Sequence, residues 1–451
     1  MAEEIKDVVV EESPLLTVFR KEAHDTMLSR INLATAFKLT PQELRTEIEN
    51  FVFEFAQERR AQITKREQVT IARELVDDMI GLGPLERLLD DEAISDIVVN
   101  GPYQIYVEKG GLMQLVPIKF RDDAHLMQIA QRIAHRVGRR VDTSSPLCDA
   151  RLPDGSRVNI VVPPIALDGA SISIRKFSKK AMDLHKLAAN NSLTEEMVRV
   201  LQIASTCGLN IIVSGGTGSG KTTMLNALSQ LIDPRERIVT CEDAAELKLQ
   251  QPHVVRLESR PPNIEGKGEI TIRDLVKNAL RMRPDRIVIG EVRGEECIDM
   301  LQAMNTGHDG SMSTIHANRA REAFIRLENM VAMSGFDLPS EIVRAQIAGA
   351  INLIVQTERL HDGTRKITEI VEVTGISERG DIQYHHLFKY VPIGETEDHK
   401  VIGRFEARVE QPAFLDKAIT YGLDKELLSI MRTAIEKNGG IMGEDDDDDS
   451  Y

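Results

Sequence analysis

The sequence predicts an α/β domain that follows an α+β domain and a small helical bundle. Three observations lead to this fold class: a glycine-rich loop between an apolar strand and a helix, alternating strands and helices over residues 195–440, and amphipathic helices near the amino end. The chain has 451 residues, enough for several domains that each bury a core. We therefore expect a multidomain protein organised around the glycine-rich loop.

Composition and periodicity divide the chain into segments. In chain order they are an acidic leader (1–15), a helical bundle (16–82), an α+β domain (83–181), a linker (182–194), an α/β domain (195–440) and an acidic tail (441–451). Leader and tail are rich in like charges, so we expect both to stay disordered. The segment 182–194 is polar and has no helical or strand period, which favours a linker.

Helices dominate the amino-terminal region. Thr40-Pro41-Gln42-Glu43 has the pattern of a helix start, because Thr40 can cap the helix while Glu43 completes a capping box. A helix is expected over Leu15–Phe37, and another that ends at Gly81. The apolar residues that recur behind Thr40 are Leu44, Ile48, Phe51, Val52 and Phe55. Such stripes suit a membrane surface or a packed bundle, and core packing is the simpler interpretation.

Short β-rich segments characterise the α+β domain. Strands are expected at Ile97–Val99, Gln104–Val107, Arg157–Val162 and Ser171–Arg175. A helix over Asp123–Val137 interrupts them. This mixture predicts a compact domain in which a helix packs on a sheet.

Charge and cysteine usage exclude several classes of protein. The 56 basic and 71 acidic residues give a net charge of −15, which disfavours a general attraction to nucleic acid. No apolar run approaches the ~20 residues of a membrane-spanning helix, and the acidic amino end does not resemble a signal peptide. The 4 cysteines form no CxxC pair, so we expect neither a zinc site nor disulfides. A reducing cytoplasm is the expected location.

The glycine-rich loop has the full Walker A pattern. Its residues are Gly215, Gly216, Thr217, Gly218, Ser219, Gly220, Lys221, Thr222 and Thr223. Backbone N–H groups of such a loop surround phosphates, the lysine reaches the outer phosphates, and the following hydroxyl binds Mg²⁺. A glycine-rich turn without a ligand is the alternative, but the loop lies between the strand and helix that the pattern requires. We therefore predict that ATP and Mg²⁺ are the cofactors.

A carboxylate follows the apolar strand Arg286–Ile289. In a parallel sheet Glu291 would lie at the carboxyl edge beside the phosphate loop, where it would join Thr222 in binding Mg²⁺. Because glutamate is longer than the usual aspartate, it would act through a metal-bound water or orient the attacking one. A solvated charge at a strand end is the alternative.

Further acids follow the strand Arg237–Val239. Glu242 is the preferred residue to hold and polarise the attacking water, with Glu246 as its rival. An acidic helix start, where carboxylates interact favourably with the helix dipole, is the alternative.

Two histidines follow these acids. His308 and His316 would sense the γ-phosphate, or they are structural. Their separation of eight residues, with no cysteine or third histidine nearby, does not match a metal-ligand spacing.

Motifs in this order resemble the secretion ATPase superfamily. They are Gly215–Thr222, Thr240–Glu246, Arg283–Gly294 and Thr306–Asn318. The chain is most similar to the CpaF family of Tad-type pilus ATPases, within the type II/type IV secretion (VirB-like) traffic ATPases. It lacks the four-cysteine zinc module of many relatives, and Glu242–Glu246 lacks their usual proline. Both differences point to the CpaF family.

The resemblance implies a RecA-like P-loop NTPase domain preceded by a PAS-like α+β domain, and a homo-hexameric ring. In such rings arginines of the amino-terminal domain reach the phosphates; Arg157 and Arg175 match these positions, and Arg151 matches less well. Guanidinium groups would stabilise charge on the γ-phosphoryl oxygens. Surface ion pairing is the alternative for each arginine.

The resemblance also implies a cytoplasmic motor, peripheral at the inner face of the cytoplasmic membrane. Its implied partners are inner-membrane pilus platform proteins and a polar-localisation or regulatory ATPase of the same system. ATP hydrolysis would power pilus assembly, with retraction left open. The rival functions are a type IV secretion-type traffic ATPase, a RecA-like nucleic-acid motor and a nucleotide-dependent scaffold.

Overall fold

The computed structural model describes residues 14–30, 40–177, 182–260, 262 and 267–437. Most of the expected leader, the whole expected tail and the last part of the helix expected over Leu15–Phe37 lie outside these residues. The chain divides into two compact units, Met1–Phe177 and Ser178–Tyr451.

The first unit contains a helical bundle and a sheet. Its helices are α1 (Pro14–Arg30), α2 (Pro41–Glu58), α3 (Lys65–Ile80), α4 (Glu86–Asp90) and α5 (Asp123–Arg136), with a 3-10 turn at Gly83–Leu85. Its strands are β1 (Ile94–Asn100), β2 (Ile105–Lys109), β3 (Leu112–Val116), β4 (Leu147–Arg151), β5 (Arg157–Val161) and β6 (Ser171–Arg175). The order in the antiparallel sheet is β3-β2-β1-β6-β5-β4.

The predicted capping box starts helix α2. Thr40 accepts from the backbone N–H of Glu43, whose carboxylate in turn accepts from the backbone N–H of Thr40. A second box, Thr64 with Glu67, starts α3 in the same way. The apolar stripe of α2 packs in a core with Phe19, Met27 and Ile71, so the interpretation as core packing is confirmed for these helices.

Strands β3 and β4 are absent from the sequence prediction. Both are edge strands, and the side chains of β3 are almost all exposed, so no alternation of apolar and polar residues marks it. The remaining core lies between the sheet and helix α5, whose buried residues include Leu126, Ile129 and Ile133.

The second unit is a sheet with helices. Its strands are β7 (Ile211–Gly215), β8 (Ile238–Glu242), β9 (Val254–Glu258), β10 (Arg286–Val292), β11 (Met312–Ile315), β12 (Leu353–Arg359), β13 (Arg365–Ile376), β14 (Ile382–Glu395) and β15 (Val401–Ala407). Its helices are α6 (Leu184–Ala189), α7 (Glu195–Thr206), α8 (Lys221–Ser229), α9 (Ile272–Ala279), α10 (Glu296–Asn305), α11 (Ala320–Met333), α12 (Ser340–Ala350), α13 (Leu415–Thr420) and α14 (Asp424–Lys437).

The sheet of this unit has nine strands in the order β15-β14-β13-β12-β7-β11-β10-β8-β9. The strands β12, β7, β11, β10, β8 and β9 run parallel to one another. The strands β12, β13, β14 and β15 pair antiparallel as successive hairpins. Successive residues of β7 enter different cores, Ile211 and Val213 on one face and Ile212 on the other. Both faces are therefore covered, which explains the unbroken apolar run before the glycine-rich loop.

Residues 182–194, expected to form a linker, belong to the second unit instead. Asp183 caps helix α6 by accepting from the backbone N–H of Lys186. Leu184 and Leu193 are buried in the same core as Ile211. The polar composition of the segment hides these two apolar anchors.

Among the helices described, none combines the length and the apolar character that a bilayer crossing requires.

Candidate functional site

The candidate site lies at the carboxyl edge of the parallel strands in the second unit. Strand β7 leads directly into the glycine-rich loop, β8 ends at Glu242, and Glu291 lies near the end of β10. His316 follows β11. Because these strands are parallel and hydrogen-bonded in the order β7-β11-β10-β8, their ends reach the same edge.

The glycines of the loop are required by backbone geometry. Gly218 and Gly220 have φ angles of +71° and +103°, in the left-handed region that favours glycine. A Cβ on Gly215 would lie 2.4 Å from the Ser219 hydroxyl and 2.5 Å from the Thr357 carbonyl oxygen. A side chain at Gly215 would therefore push the loop away from β12.

Lys221 lies folded over its own loop. Its Nζ donates to the carbonyl oxygens of Gly215 and Gly216 at 3.0 and 2.9 Å. The Ser219 hydroxyl donates to the Gly216 carbonyl oxygen at 3.0 Å and lies 2.8 Å from the Thr357 hydroxyl. The ammonium group is thus held over the loop, in the region where a Walker A lysine meets phosphates.

Glu242 is a buried carboxyl group with one oxygen unused. Only 2% of the residue is exposed. Its Oε1 accepts from the backbone N–H groups of Glu246 and Leu247 at 2.8 and 2.9 Å, while Oε2 has no hydrogen-bond partner in the described part of the chain. Burial raises the pKa of Glu242 to about 7, although these two N–H groups oppose the rise. Such a group can accept a proton near neutral pH.

Gly290 makes room for this side chain. A Cβ at Gly290 would lie 3.1 Å from the Cγ of Glu242, closer than an ordinary van der Waals contact. The side chain of Glu242 therefore lies against the end of β10. Glu246, the rival acid, contributes its backbone N–H to Glu242, and its own side chain is half-buried.

Glu291 takes part in an ion-pair cluster. Its Oε2 accepts from Nη2 and Nε of Arg293 at 2.6 and 3.0 Å. Arg293 also lies 3.6 Å from the carboxylate of Asp243, which follows Glu242. The guanidinium group thus connects the ends of β10 and β8. Neither Asp243 nor Arg293 was singled out from the sequence, since their pairing depends on the parallel alignment of the two strands.

The two histidines lie at opposite ends of β11. His308 precedes the strand, and its Nδ1 lies 3.1 Å from the Ala303 carbonyl oxygen at the end of α10. The neighbouring Ser311 donates its backbone N–H to Asn210, just before β7. His308 is therefore at the amino edge of the sheet, while His316 follows the carboxyl edge. A spacing of eight residues contains one whole strand, which separates them.

The arginines of the first unit form a row. Arg151, Arg157 and Arg175 are successive cross-strand partners on β4, β5 and β6. Arg175 in turn pairs with Asp96 on β1, with Nε 3.2 Å from Oδ1. Arg151 donates from Nε to the Gly155 carbonyl oxygen at 3.2 Å. The three candidate arginines are thus side by side on one sheet, although the sequence separates them by up to 24 positions.

The donor set at the carboxyl edge suits Mg²⁺. Thr222 supplies a hydroxyl in the first turn of α8 and Glu291 supplies a carboxylate, both hard oxygen ligands. A Walker A loop, a buried acid with a raised pKa and these oxygen ligands on a parallel sheet define an ATPase of the P-loop class.

Similarity to known proteins identifies the family to which this chain belongs. Residues 78–401 match the family described as "Type II/IV secretion system protein". The match covers more than half of the chain, and the chain belongs to this family.

Several relatives and a solved structure are similar to parts of this chain. A putative conjugal transfer protein of Mycobacterium tuberculosis is 40% identical over 304 residues, which are 66% of this chain and 86% of the relative. The type IV secretion system protein VirB11 of Bartonella quintana is 32% identical over 325 residues, 64% of this chain and 91% of the relative. The crystal structure of the VirB11 ATPase from the Brucella suis type IV secretion system is 32% identical, covers 64% of this chain and 94% of its own, and has a TM-score of 0.35.

Proposed function

We propose that this chain is the ATPase motor of a Tad-type pilus, coupling ATP hydrolysis to movement of a membrane platform protein. The observation that carries the hydrolytic part is Glu242, a buried carboxyl group with a free Oε2 and a pKa raised to about 7 by burial. It ends β8, whose neighbour β10 carries Glu291, at the same edge of the sheet where β7 leads into the phosphate loop.

Residues of the second unit have distinct roles in this proposal. Lys221 and the loop N–H groups hold the ATP phosphates. Glu242 accepts a proton from the attacking water, and the backbone bonds from Glu246 and Leu247 keep its carboxyl group oriented. His316, which follows β11 at the carboxyl edge, would sense the γ-phosphate.

Mg²⁺ would be held by Thr222 and Glu291. When bound, the ion neutralises charge on the phosphate oxygens. For Oε2 of Glu291 to serve it, directly or through water, the ion pair with Arg293 must open or turn outward, because that guanidinium group occupies this oxygen.

The arginine row of the first unit supports a ring. The three guanidinium groups lie on adjacent strands at cross-strand partner positions, so they concentrate positive charge that would attract the phosphates of a nucleotide. We propose that Arg157 and Arg175 contact the phosphates of a nucleotide within a homo-hexamer, with Arg151 supporting them.

The Tad-type assignment rests on sequence features. The cysteines are buried and separate, without the zinc module of other secretion ATPases. The acid motif Glu242–Glu246 lacks proline, and helices α1 and α2 precede the region that matches the family. These features favour the CpaF family, whose partners would be inner-membrane platform proteins and a regulatory ATPase at the inner face of the cytoplasmic membrane.

A type IV secretion traffic ATPase is the second candidate. It is favoured by the 32% identity to VirB11 of Bartonella quintana and the 40% identity to a putative conjugal transfer protein. A nucleic-acid motor and a scaffold without turnover are not favoured by any residue of the site.

A deletion strain tests the proposal. Deleting the gene should abolish surface pili, complementation with the wild-type chain should restore them, and complementation with Glu291→Ala should not. Conjugal transfer or protein secretion measured in the same strains separates the candidates. Normal piliation with lost transfer would overturn the pilus assignment and favour the second candidate.

A further inference from the structure

The β12–β13 hairpin lies against the phosphate loop. Thr357 of β12 is the parallel partner of Gly215, and its hydroxyl lies 2.8 Å from that of Ser219. Two positions further on, Arg359 and Arg365 are cross-strand partners at the end of the hairpin that adjoins its turn. The hairpin thus brings basic side chains to a loop more than 130 positions away in sequence.

Arg365 contacts the loop at two glycines. Its Nε donates to the carbonyl oxygen of Gly218 at 2.8 Å. A Cβ placed on Gly220 would lie 3.4 Å from the Cδ of Arg365, so the aliphatic part of the side chain lies over Gly220. The side chain of Arg365 therefore lies along the segment Gly218–Gly220 of the loop.

This hydrogen bond fixes the direction of one N–H group. In a trans peptide the C=O and the next N–H point in opposite directions. Holding the Gly218 carbonyl toward Arg365 therefore directs the N–H of Ser219 away from Arg365. Within the described residues that N–H makes one contact, 3.5 Å from the Gly216 carbonyl oxygen, which is long for a hydrogen bond. It is poised to donate to a ligand.

The hairpin itself is held in place by Asp362. Its Oδ1 accepts from the hydroxyl and the backbone N–H of Thr364 at 2.7 and 2.9 Å. Its Oδ2 accepts from the backbone N–H of Val401 on β15 at 2.9 Å. Arg365 thus follows a turn that hydrogen bonds from Asp362 hold in place.

We propose that Arg365 is a positioning residue that presets the Gly218–Ser219 peptide, so that the Ser219 N–H donates to the β-phosphate of the bound nucleotide. The inference rests on the proposed ATPase function. It names a residue of the same chain that acts through the loop backbone, separate from the lysine of the loop and from the arginines of the first unit. ADP and ATP share the β-phosphate, so both should depend on Arg365 equally.

Calorimetric titration of the full-length chain with Mg-ADP, and with Mg-ATP on ice, tests this. Arg365→Ala should weaken both nucleotides about tenfold, the effect of losing one charge-assisted bond in an exposed setting. Arg365→Lys keeps a donor and should recover most of the affinity. In steady-state assays the KM for ATP should rise about as much while kcat changes less than about twofold, since the bond serves ground state and transition state alike.

Arg379→Ala is the matched control, because it removes the same charge from an exposed position in the turn between β13 and β14. Its effect on ADP should be clearly smaller. Equal losses for both variants would show a general charge effect, and a loss for ATP alone would show a γ-phosphate contact; either overturns the proposal. Unchanged ADP affinity in Arg365→Ala would also overturn it while leaving the ATPase function intact. A wild-type chain that binds neither nucleotide would instead refute the proposed function.

Discussion

Replacing Glu242 with glutamine should change the pH dependence of stability in a defined direction. Burial raises the pKa of Glu242 from 4.5 to about 7. Between these values the folded chain keeps a proton that the unfolded chain has released. The free energy of unfolding therefore falls as pH rises from about 4.5 to about 7 and levels off above that. Glutamine has nothing to ionise, so the variant lacks this loss.

The size of the effect follows from the shift. A rise of about 2.5 units corresponds to roughly 3 kcal/mol, at about 1.4 kcal/mol per unit. Relative to wild type, Glu242→Gln should gain up to that amount of stability between pH 4.5 and pH 8. The oxygen of glutamine can still accept from the N–H groups of Glu246 and Leu247, so the fold is retained.

Urea denaturation at pH 5 and pH 8 measures this, with the transition of the second unit followed for both proteins. Glu436→Gln, which removes an exposed carboxylate from α14, is the matched control. If the stability difference between Glu242→Gln and wild type is the same at both pH values, burial does not raise the pKa of Glu242, and the prediction is wrong.

The remaining predictions concern turnover and binding. Glu242→Gln should lower kcat about 100-fold or more, because it removes the general base, while ATP binding is kept. The kcat of wild type should rise with pH through about 7, because the base must be ionised, and a pH–rate profile measures this rise. Gly290→Ala should lower kcat by displacing Glu242, since its Cβ would lie 3.1 Å from Cγ, and a crystal structure of the variant would show the shift. Arg157→Ala should lower phosphate release by the assembled protein, with nucleotide affinity less affected; unchanged release would remove Arg157 from the site.

Local signals made much of the fold predictable. Helix α2 begins where four consecutive residues predict it, because a capping box satisfies its own N–H groups without distant partners. The predicted and observed bounds of β6 agree, since alternating burial marks Ser171–Arg175. Edge strands such as β3, and Leu184 and Leu193 in the expected linker, depend on what packs against them, which a local pattern does not contain.

The site was predictable where a motif is continuous and not where it is assembled by the fold. The loop Gly215–Thr222 is recognisable because strand, turn and helix are contiguous. The contact of Ser219 with Thr357 joins residues 138 positions apart. His308 and His316 are close in sequence, yet strand β11 carries them to opposite edges of the sheet. The raised pKa of Glu242 arises from burial that only the assembled core creates.

Steady-state phosphate release from the purified full-length chain with saturating Mg-ATP tests the central claim most directly. Wild type should hydrolyse ATP, and Lys221→Ala and Glu291→Ala should release phosphate near the background rate. Equal rates for all three proteins would contradict the claim that this loop and this acid form an ATPase site.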